Sequence, residues 1–393
     1  MKKKVTMDDL LNHGVDGVLP SKKGLESLLK KRKIRLYNGM DATAPNLHLG
    51  HATLLRKLQQ FADLGHEVIF LIGDYTSLIG DTSDKESARP KMAIKQVKEN
   101  IKTWKKQAGK IIDLKKVKIM HNSTWLKKLR YEDILHLAQN FTVQQMVERD
   151  LYQRRLKAGK PIGLHEFLYP LMQGYDSTVL DVDLEIGGTD QTFNMLAGRT
   201  LQKNLGKRDK YVMTLPLLMG SDGQKMSKSL GNTINIMDEP NDMFGKVMRV
   251  RDDLMKDYFI SLTDVPMAEI TKLTAKNTDP FTTKKKLAFE IVKLIYGETK
   301  AKKAEKEFTH TFSEKGAPSN LPVLKIGAGK TTVMKLLQKV KVLKSNAEIK
   351  RLINQGSIKI DGEIIRDKNV LLKLAGGEVL KIGKRQFYKI ELI

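Results

Sequence analysis

The sequence predicts an α/β protein: a doubly wound parallel sheet, then an α-helical domain, then a small basic α+β domain. Three observations carry this expectation. Apolar runs of strand length alternate with helical periodicities as far as residue 234. The continuous run VIFLIGD at 68–74 ends in glycine and an acid, as a buried parallel strand does where the chain leaves a sheet, and Val182, Leu184 and Ile186 alternate into a second glycine turn, GGTDQ at 187–191. Beyond 235 the strand-like runs vanish, helical spacing takes over, and a Gly/Pro/Ser-rich stretch at 313–330 precedes a change of character.

Composition narrows the classes. A chain of 393 residues with 40% hydrophobic content suits two or three domains with real cores. Seventy Lys and Arg against 45 Asp and Glu leave a net charge of +25, which favours a polyanionic partner but says nothing of the fold. The chain has no cysteine, so disulfides and thiolate metal sites are excluded, which suits a cytoplasmic protein without requiring it. The N-terminus, MKKKVTMDDLL, is basic but no apolar core follows, so no signal peptide is expected. No apolar run reaches the ~18 residues of a membrane span.

In chain order, residues 1–33 read as an amphipathic lead-in with Leu25, Leu28 and Leu29 on one helical face. A strand through Ile34 and Leu36 is expected to end near Tyr37. After the loop DATAP at 41–45 comes His48-Leu49-Gly50-His51, then Leu54, Leu55, Leu58, Phe61 and Ala62 at helical spacing, with Gly65 as the stop. The strand at 68–72 completes a right-handed crossover unit. The loop at 78–83 leads to Lys85 and Arg89 at a strand's carboxyl side, where open α/β sheets bind ligands. Residues 91–108 read as basic helices, either contacting RNA or forming a solvated face. A strand is expected at 117–120, helix over 125–158, a break at Pro161-Ile-Gly163, and strands at 182–186 and 211–215. The expected domains are 1–234, with a helical insertion near 125–160, then 235–315, and 331–393 after a linker at 316–330.

The last stretch reads as two short helices, an Asp361-Gly362 hairpin over 357–365 and further strands at 379–382 and 387–390. From residue 331 onward it carries 14 Lys and Arg against 6 Asp and Glu, which fits an RNA binder or a solvated basic appendage. GAGKT at 327–331 is not a P-loop, because the required first glycine is Leu324.

Two motifs carry chemistry. HLGH sits where a strand gives way to a helix, so backbone N–H groups point outward at an anion site. Gly50 permits close approach, and two imidazoles three apart can both donate to one polyphosphate. The same histidines could be metal ligands, although no third ligand of matching spacing stands nearby, or ordinary polar residues of a first turn. KMSKS at 225–229 follows a Gly-Ser-Asp-Gly loop at 220–223. Its two lysines could close over developing phosphate charge or form a solvated face. Together, in this order and separation, HLGH and KMSKS resemble the signature pair of class I aminoacyl-tRNA synthetases.

Tyrosine and tryptophan enzymes of that class share a fold. Tyr169, Gln173 and Asp176 lie at helical spacing on one face, and are either core residues of a buried helix or the acceptors a tyrosine substrate requires. A site that hydrogen-bonds the phenol can reject phenylalanine by ~10⁴–10⁵. The whole set resembles bacterial tyrosyl-tRNA synthetases of the branch with an intact KMSKS: YxGxDxTxxxLHLGH at 37–51, LIGD at 78–81, YPLMQGYD at 169–176, GGTDQ at 187–191 and KMSKS. Asn38 stands where that group often has Cys. RLINQG at 351–356 followed by SIKIDGE resembles the small RNA-binding domain shared by a ribosomal small-subunit protein and some pseudouridine synthases.

The resemblance implies a Rossmann-like catalytic domain and a tyrosine–tRNA ligase reaction. It implies that Tyr37 and Asp176 bind the phenol, that Asp81, Tyr169 and Gln173 bind the ammonium, and that Gln191 lies near the substrate carboxylate. Gly50, His51 and Asp190 would contact the adenosine, Asp41 would lie close to the nucleotide, and Leu218 would back the adenine. Thr43, His48, Lys225 and Lys228 would stabilise the pyrophosphate. ATP would arrive with Mg²⁺ and no protein-held metal is expected. Expected partners are tRNA(Tyr), L-tyrosine, ATP and a second copy of the chain docked through the 125–160 insertion. Tyr37 with Asp176 argues against the tryptophan enzyme, and intact HLGH and KMSKS argue against an RNA binder that retains a dead synthetase body.

Overall fold

A computed structural model describes residues 5–80, 92–226, 230–310, 321–327, 331–340, 343, 345–372, 374–383 and 386–393. The chain divides into two compact units, Met1–Lys302 and Lys303–Ile393.

The first unit holds a six-stranded sheet of β1 (Gly17–Leu19), β2 (Arg35–Asp41), β3 (Glu67–Gly73), β4 (Val117–His121), β5 (Leu184–Gly188) and β6 (Tyr211–Leu215). Their spatial order is β1-β6-β5-β2-β3-β4. From β2 the chain winds outward through β3 to β4, and from β5 it winds the other way to β6, so the winding reverses between β2 and β5. All neighbours are parallel except β1 and β6. Burial explains the apolar runs, since every residue of β3 after Glu67 is buried and a parallel sheet covered on both faces has no polar side.

The reversal point is also where the sheet opens. β2 pairs with β3 along all seven of its residues, but with β5 only through Leu36↔Leu184 and Tyr37↔Glu185. Past that pair the Asn38 side chain replaces the ladder, donating from Nδ2 to the Ile186 carbonyl at 2.7 Å. The carboxyl ends of β2 and β5 therefore part into a crevice, the place where doubly wound sheets take ligands.

Several sequence expectations shift. The strand expected to end near Tyr37 runs on to Asp41, because β3 supplies a partner throughout. Within the lead-in, β1 pairs antiparallel with β6; three residues are too few to give a periodic signal. The 125–158 stretch is four short helices, Ser123–Leu126, Tyr131–Ala138, Val143–Val147 and Asp150–Lys157. The chain restarts at Arg130, whose N–H is bound by the Asp133 carboxylate, and at Thr142, whose hydroxyl caps Gln145. The alternation at 182–186 hides no solvent face. Asp183 and Glu185 are as buried as their neighbours, one salt-bridged to Arg32 and Arg208 and the other to Lys210.

Helices Leu168–Leu180 and Thr192–Asn204 pack at glycine contacts. A Cβ on Gly174 would lie 3.3 Å from Gly198 Cα, and one on Gly198 would lie 2.7 Å from Ser177 Oγ and clash with Lys210 Nζ. Beyond residue 239 the helices Pro240–Val247, Met255–Leu262, Met267–Leu273 and Pro280–Tyr296 belong to this unit. The last begins where Asp279 caps Phe281 and Thr282 and buries Leu287, Ala288, Ile291 and Val292 completely. Among the described residues no helix is long and apolar enough to cross a membrane.

The second unit contains β7 (Val323–Ile326), β8 (Thr331–Thr332), β9 (Ile358–Ile360), β10 (Glu363–Ile364), β11 (Leu371–Leu372), β12 (Val379–Ile382) and β13 (Gln386–Leu392). Five form a sheet in the order β10-β9-β12-β13-β7. The hairpin turn uses positive φ at both Asp361 and Gly362, the geometry an Asp-Gly pair favours. β7 falls inside the stretch read as linker and pairs parallel with β13, so a strand does precede Gly327. Residues 328–330 lie outside the described residues.

The Gly198→Ala chain should lose about 1–3 kcal/mol of stability by overpacking, read as a lower urea midpoint. An unchanged midpoint would mean that the two helices can separate without cost.

Candidate active site

The HLGH turn is built by reciprocal capping. His48 is the N-cap of helix Leu49–Asp63, and its Nδ1 accepts from Gly50 N–H at 3.2 Å. His51, one turn inside, accepts the His48 N–H on its own Nδ1 at 3.1 Å. With each Nδ1 acting as acceptor, each neutral ring carries its proton on Nε2. The rings lie 4.0 Å apart between centroids. Burial, then the nearby Lys225 charge, lowers the His48 pKa to about 4. Burial, then His48, holds His51 well below the usual imidazole range. The site thus presents two neutral N–H donors at a helix N-terminus, suited to anionic oxygens.

A segment that follows KMSKS, residues 234–236, is fastened to this turn by backbone. Leu49 N–H donates to Ile234 O and Ile236 N–H to Leu47 O, both at 2.9 Å, with His48 and Asn235 forming an antiparallel bridge. The loop ahead of the motif closes through a Met219↔Lys225 bridge, and Asn232 Nδ2 reaches the Lys225 carbonyl at 3.1 Å and Asp222 Oδ1 at 2.9 Å. Lys225 Nζ lies 3.4 Å from Asp190 Oδ2 of the GGTDQ turn. The structure therefore brings HLGH, Asp190 and Lys225 together. Lys228 lies outside the described residues, as does Asp81.

Of the residues expected around tyrosine, Tyr37, Asp176, Tyr169 and Gln173 collect at the β2/β5 crevice. Asp176 is 3% exposed; its Oδ1 accepts from Trp125 Nε1 at 2.7 Å and its Oδ2 from Asn122 Nδ2 at 3.1 Å. Burial pushes its carboxyl well up against those two hydrogen bonds, helped by Glu185 and Asp41. Tyr37 is fully buried and its hydroxyl lies 2.8 Å from Ser177 Oγ. Tyr169 donates to Asp41 Oδ2 at 3.1 Å. Asp41 also accepts from Thr76 at 2.7 Å. Gln173 donates to Glu185 at 3.0 Å. Gln191 accepts from Asn194 at 3.0 Å. Thr43 is exposed on the loop after β2, with its N–H on the Asp41 carbonyl at 2.8 Å. Leu218 is buried beyond β6.

A family profile described as "tRNA synthetases class I (W and Y)" matches residues 29–313. The tyrosine–tRNA ligase of Desulfotalea psychrophila is 45% identical over 379 residues, covering 93% of this chain and 94% of that protein. That of Aquifex aeolicus is 41% identical over 382 residues, covering 97% of each. The chain belongs to the tyrosine–tRNA ligase family. Among solved structures similar to it, a C-terminally truncated mitochondrial tyrosyl-tRNA synthetase from Coccidioides posadasii superposes with a TM-score of 0.62 at 26% identity, covering 77% of this chain and 92% of that one. The Archaeoglobus fulgidus tyrosyl-tRNA synthetase complexed with L-tyrosine shares the fold, with a TM-score of 0.59 at 22% identity over 75% of this chain and 98% of that one.

For this member of the tyrosine–tRNA ligase family, sequence reasoning missed Asn122, Trp125, Ser177, Glu185 and Lys210. Asn122 directly follows β4, so the rule that ligands gather at strand carboxyl ends could have found it. The other four give no such signal.

Because folded His48 titrates near 4 rather than the usual 6.5, the unfolded chain binds a proton between those pH values that the folded chain refuses. Stability should therefore rise as pH increases from 4 to 6.5. His66, lowered to about 4 by burial and by Lys33, adds to the same slope. His48→Gln should flatten the thermal midpoint profile over that interval, and an unchanged slope would contradict the burial argument.

Proposed function

We propose that the β2/β5 crevice carries out both steps of tyrosine–tRNA ligation. In the first, the L-tyrosine carboxylate attacks the α-phosphate of ATP in line, giving tyrosyl-adenylate and pyrophosphate. In the second, a hydroxyl of the terminal ribose of tRNA(Tyr) attacks the tyrosyl carbonyl and AMP leaves. A carboxylate is already a nucleophile, so the first step needs no general base, and catalysis consists of positioning and charge stabilisation.

The observation that best supports this reading is the Lys225 charge itself, which lowers the His48 pKa and lies 3.4 Å from Asp190. In this assignment His48, Thr43, Lys225 and Lys228 stabilise the departing pyrophosphate. Gly50, His51 and Asp190 hold the adenosine, Asp41 lies close to the nucleotide, and Leu218 backs the adenine. Tyr37 and Asp176 take the phenol; Asp81, Tyr169 and Gln173 take the ammonium; Gln191 lies by the carboxylate. Asp176 keeps acceptor capacity for a phenol O–H, since a carboxylate offers about four lone-pair sites and Asn122 and Trp125 use two. Mg²⁺ arrives with ATP. The basic second unit is assigned to tRNA. Tyr131, Val143 and Leu156, 78%, 72% and 51% exposed, support a homodimer through the helical insertion. The place of action is the cytoplasm.

ATP–pyrophosphate exchange run separately with each amino acid should respond to tyrosine. A response to tryptophan instead would keep the fold and overturn the pocket assignment. In the same assay His48→Ala should lower kcat by ~10²–10³, the usual cost of one lost transition-state donor, with the KM for tyrosine nearly unchanged. A variant that mainly raised that KM at full kcat would contradict the assignment.

A further inference from the structure

Behind the crevice lies a buried charged pair to which the reaction assigns no role. Glu185 is 2% exposed on β5 and Lys210, ahead of β6, is fully buried. The two side chains form a direct ion pair. Burial lowers the Lys210 pKa, while Glu185 works to hold its proton. Burying two charges costs free energy that a pair of well-packed apolar residues would not incur, so the pair calls for a use.

Its contacts supply one. Glu185 Oε1 accepts from Gln173 Nε2 at 3.0 Å. Glu185 Oε2 accepts from Ser177 Oγ at 3.2 Å, Lys210 donates to that same Oγ at 2.7 Å, and the Tyr37 hydroxyl lies 2.8 Å from it. A glutamine amide has one donor end and one acceptor end. A carboxylate can bind only the donor end, so Glu185 fixes the rotation of the amide and leaves Gln173 Oε1 as the end open to a ligand. An ammonium ion needs that acceptor, and a flipped amide would meet it with its NH₂ group.

We propose that Glu185, held in place and neutralised by Lys210, is a positioning residue that orients the Gln173 amide and thereby sets recognition of the substrate ammonium. The proposal rests on the reading of Gln173 as an ammonium ligand. Lys210 acts only through Glu185, and neither residue touches the substrate.

The test compares tyrosinol with 3-(4-hydroxyphenyl)propan-1-ol, which keeps the phenol and alcohol but lacks the ammonium. Both are measured by calorimetry on the full-length protein. The charge-neutral pair Glu185→Met with Lys210→Met removes the acceptor. Its preference for tyrosinol should fall about tenfold or more, the scale of one hydrogen bond to a charged group, while binding of the deaminated alcohol and the KM for ATP change little. Glu185→Gln with Lys210→Met restores an acceptor oxygen and should recover most of the preference. Equal weakening of both ligands, or no loss of preference, would overturn the proposal. Gln173→Ala separates the two layers: if it keeps the full preference for tyrosinol, the ammonium reading falls and takes the proposal with it. If Gln173→Ala loses the preference and the Met pair keeps it, the proposal alone falls. Should the Met pair not fold, amide exchange of the Gln173 side chain in the unaltered protein decides. Slow exchange supports the bond to Glu185, and exchange as fast as in free glutamine overturns it.

Discussion

Two parallel strands that wind away in opposite directions cannot both keep their ladder and make room for a ligand. Here β2 and β5 share only two residue pairs before they part, and the rest of the first unit follows from that short seam. The Tyr37↔Glu185 pair is its last rung, so the residue assigned to the phenol and the carboxylate that braces Gln173 start from one register position. Asp41, at the end of β2, gathers Tyr169 and Thr76. The HLGH helix begins from the loop that β2 feeds, so its N-terminus is delivered to the mouth of the crevice.

Polarity inside that crevice is expensive and is arranged accordingly. Asp176, Glu185 and Lys210 are all buried, and each has strong partners. Asp176 is served by two uncharged donors, Asn122 and Trp125, rather than by a cation. Uncharged donors hold the carboxyl in place without saturating it, which suits the phenol-binding role proposed for it. Glu185 is served by a cation instead and spends its oxygens on Gln173 and Ser177. The HLGH imidazoles face the same low-polarity surroundings and solve the problem by staying neutral, with their tautomers fixed by backbone N–H groups.

The parts of this arrangement that sequence could reveal are those where one local rule dominates. A continuous apolar run ending in glycine marks β3 because burial on both faces leaves no polar side to display, whereas β5 carries Glu185, buried on its ion pair with Lys210. HLGH reads as a helix start because capping demands a side-chain acceptor at His48, and Asp279-Pro280 reads as one for a similar reason. Where two distant segments create the feature, the sequence is silent. β1 is too short to show a period and exists only because β6 needs an edge partner. Glu185 and Lys210 look like ordinary charges, and the close packing of Gly174 and Gly198 beside Lys210 and Ser177 shows only in the folded chain. The clamp of Leu47–Leu49 on 234–236 leaves no pattern in either stretch, yet it ties the HLGH turn to the segment that follows KMSKS.

The central claim is that tyrosine binds at the β2/β5 seam against Asp176, and Trp125 offers a direct reporter of it. The chain has two tryptophans, so Trp104→Phe leaves Trp125, bonded to Asp176 Oδ1, as the sole indole. Titrating that variant with L-tyrosine, without ATP, while exciting only tryptophan should give a saturable change in Trp125 emission that phenylalanine does not produce. Emission that stays flat through concentrations supporting tyrosine-dependent exchange would place the substrate elsewhere and contradict the account.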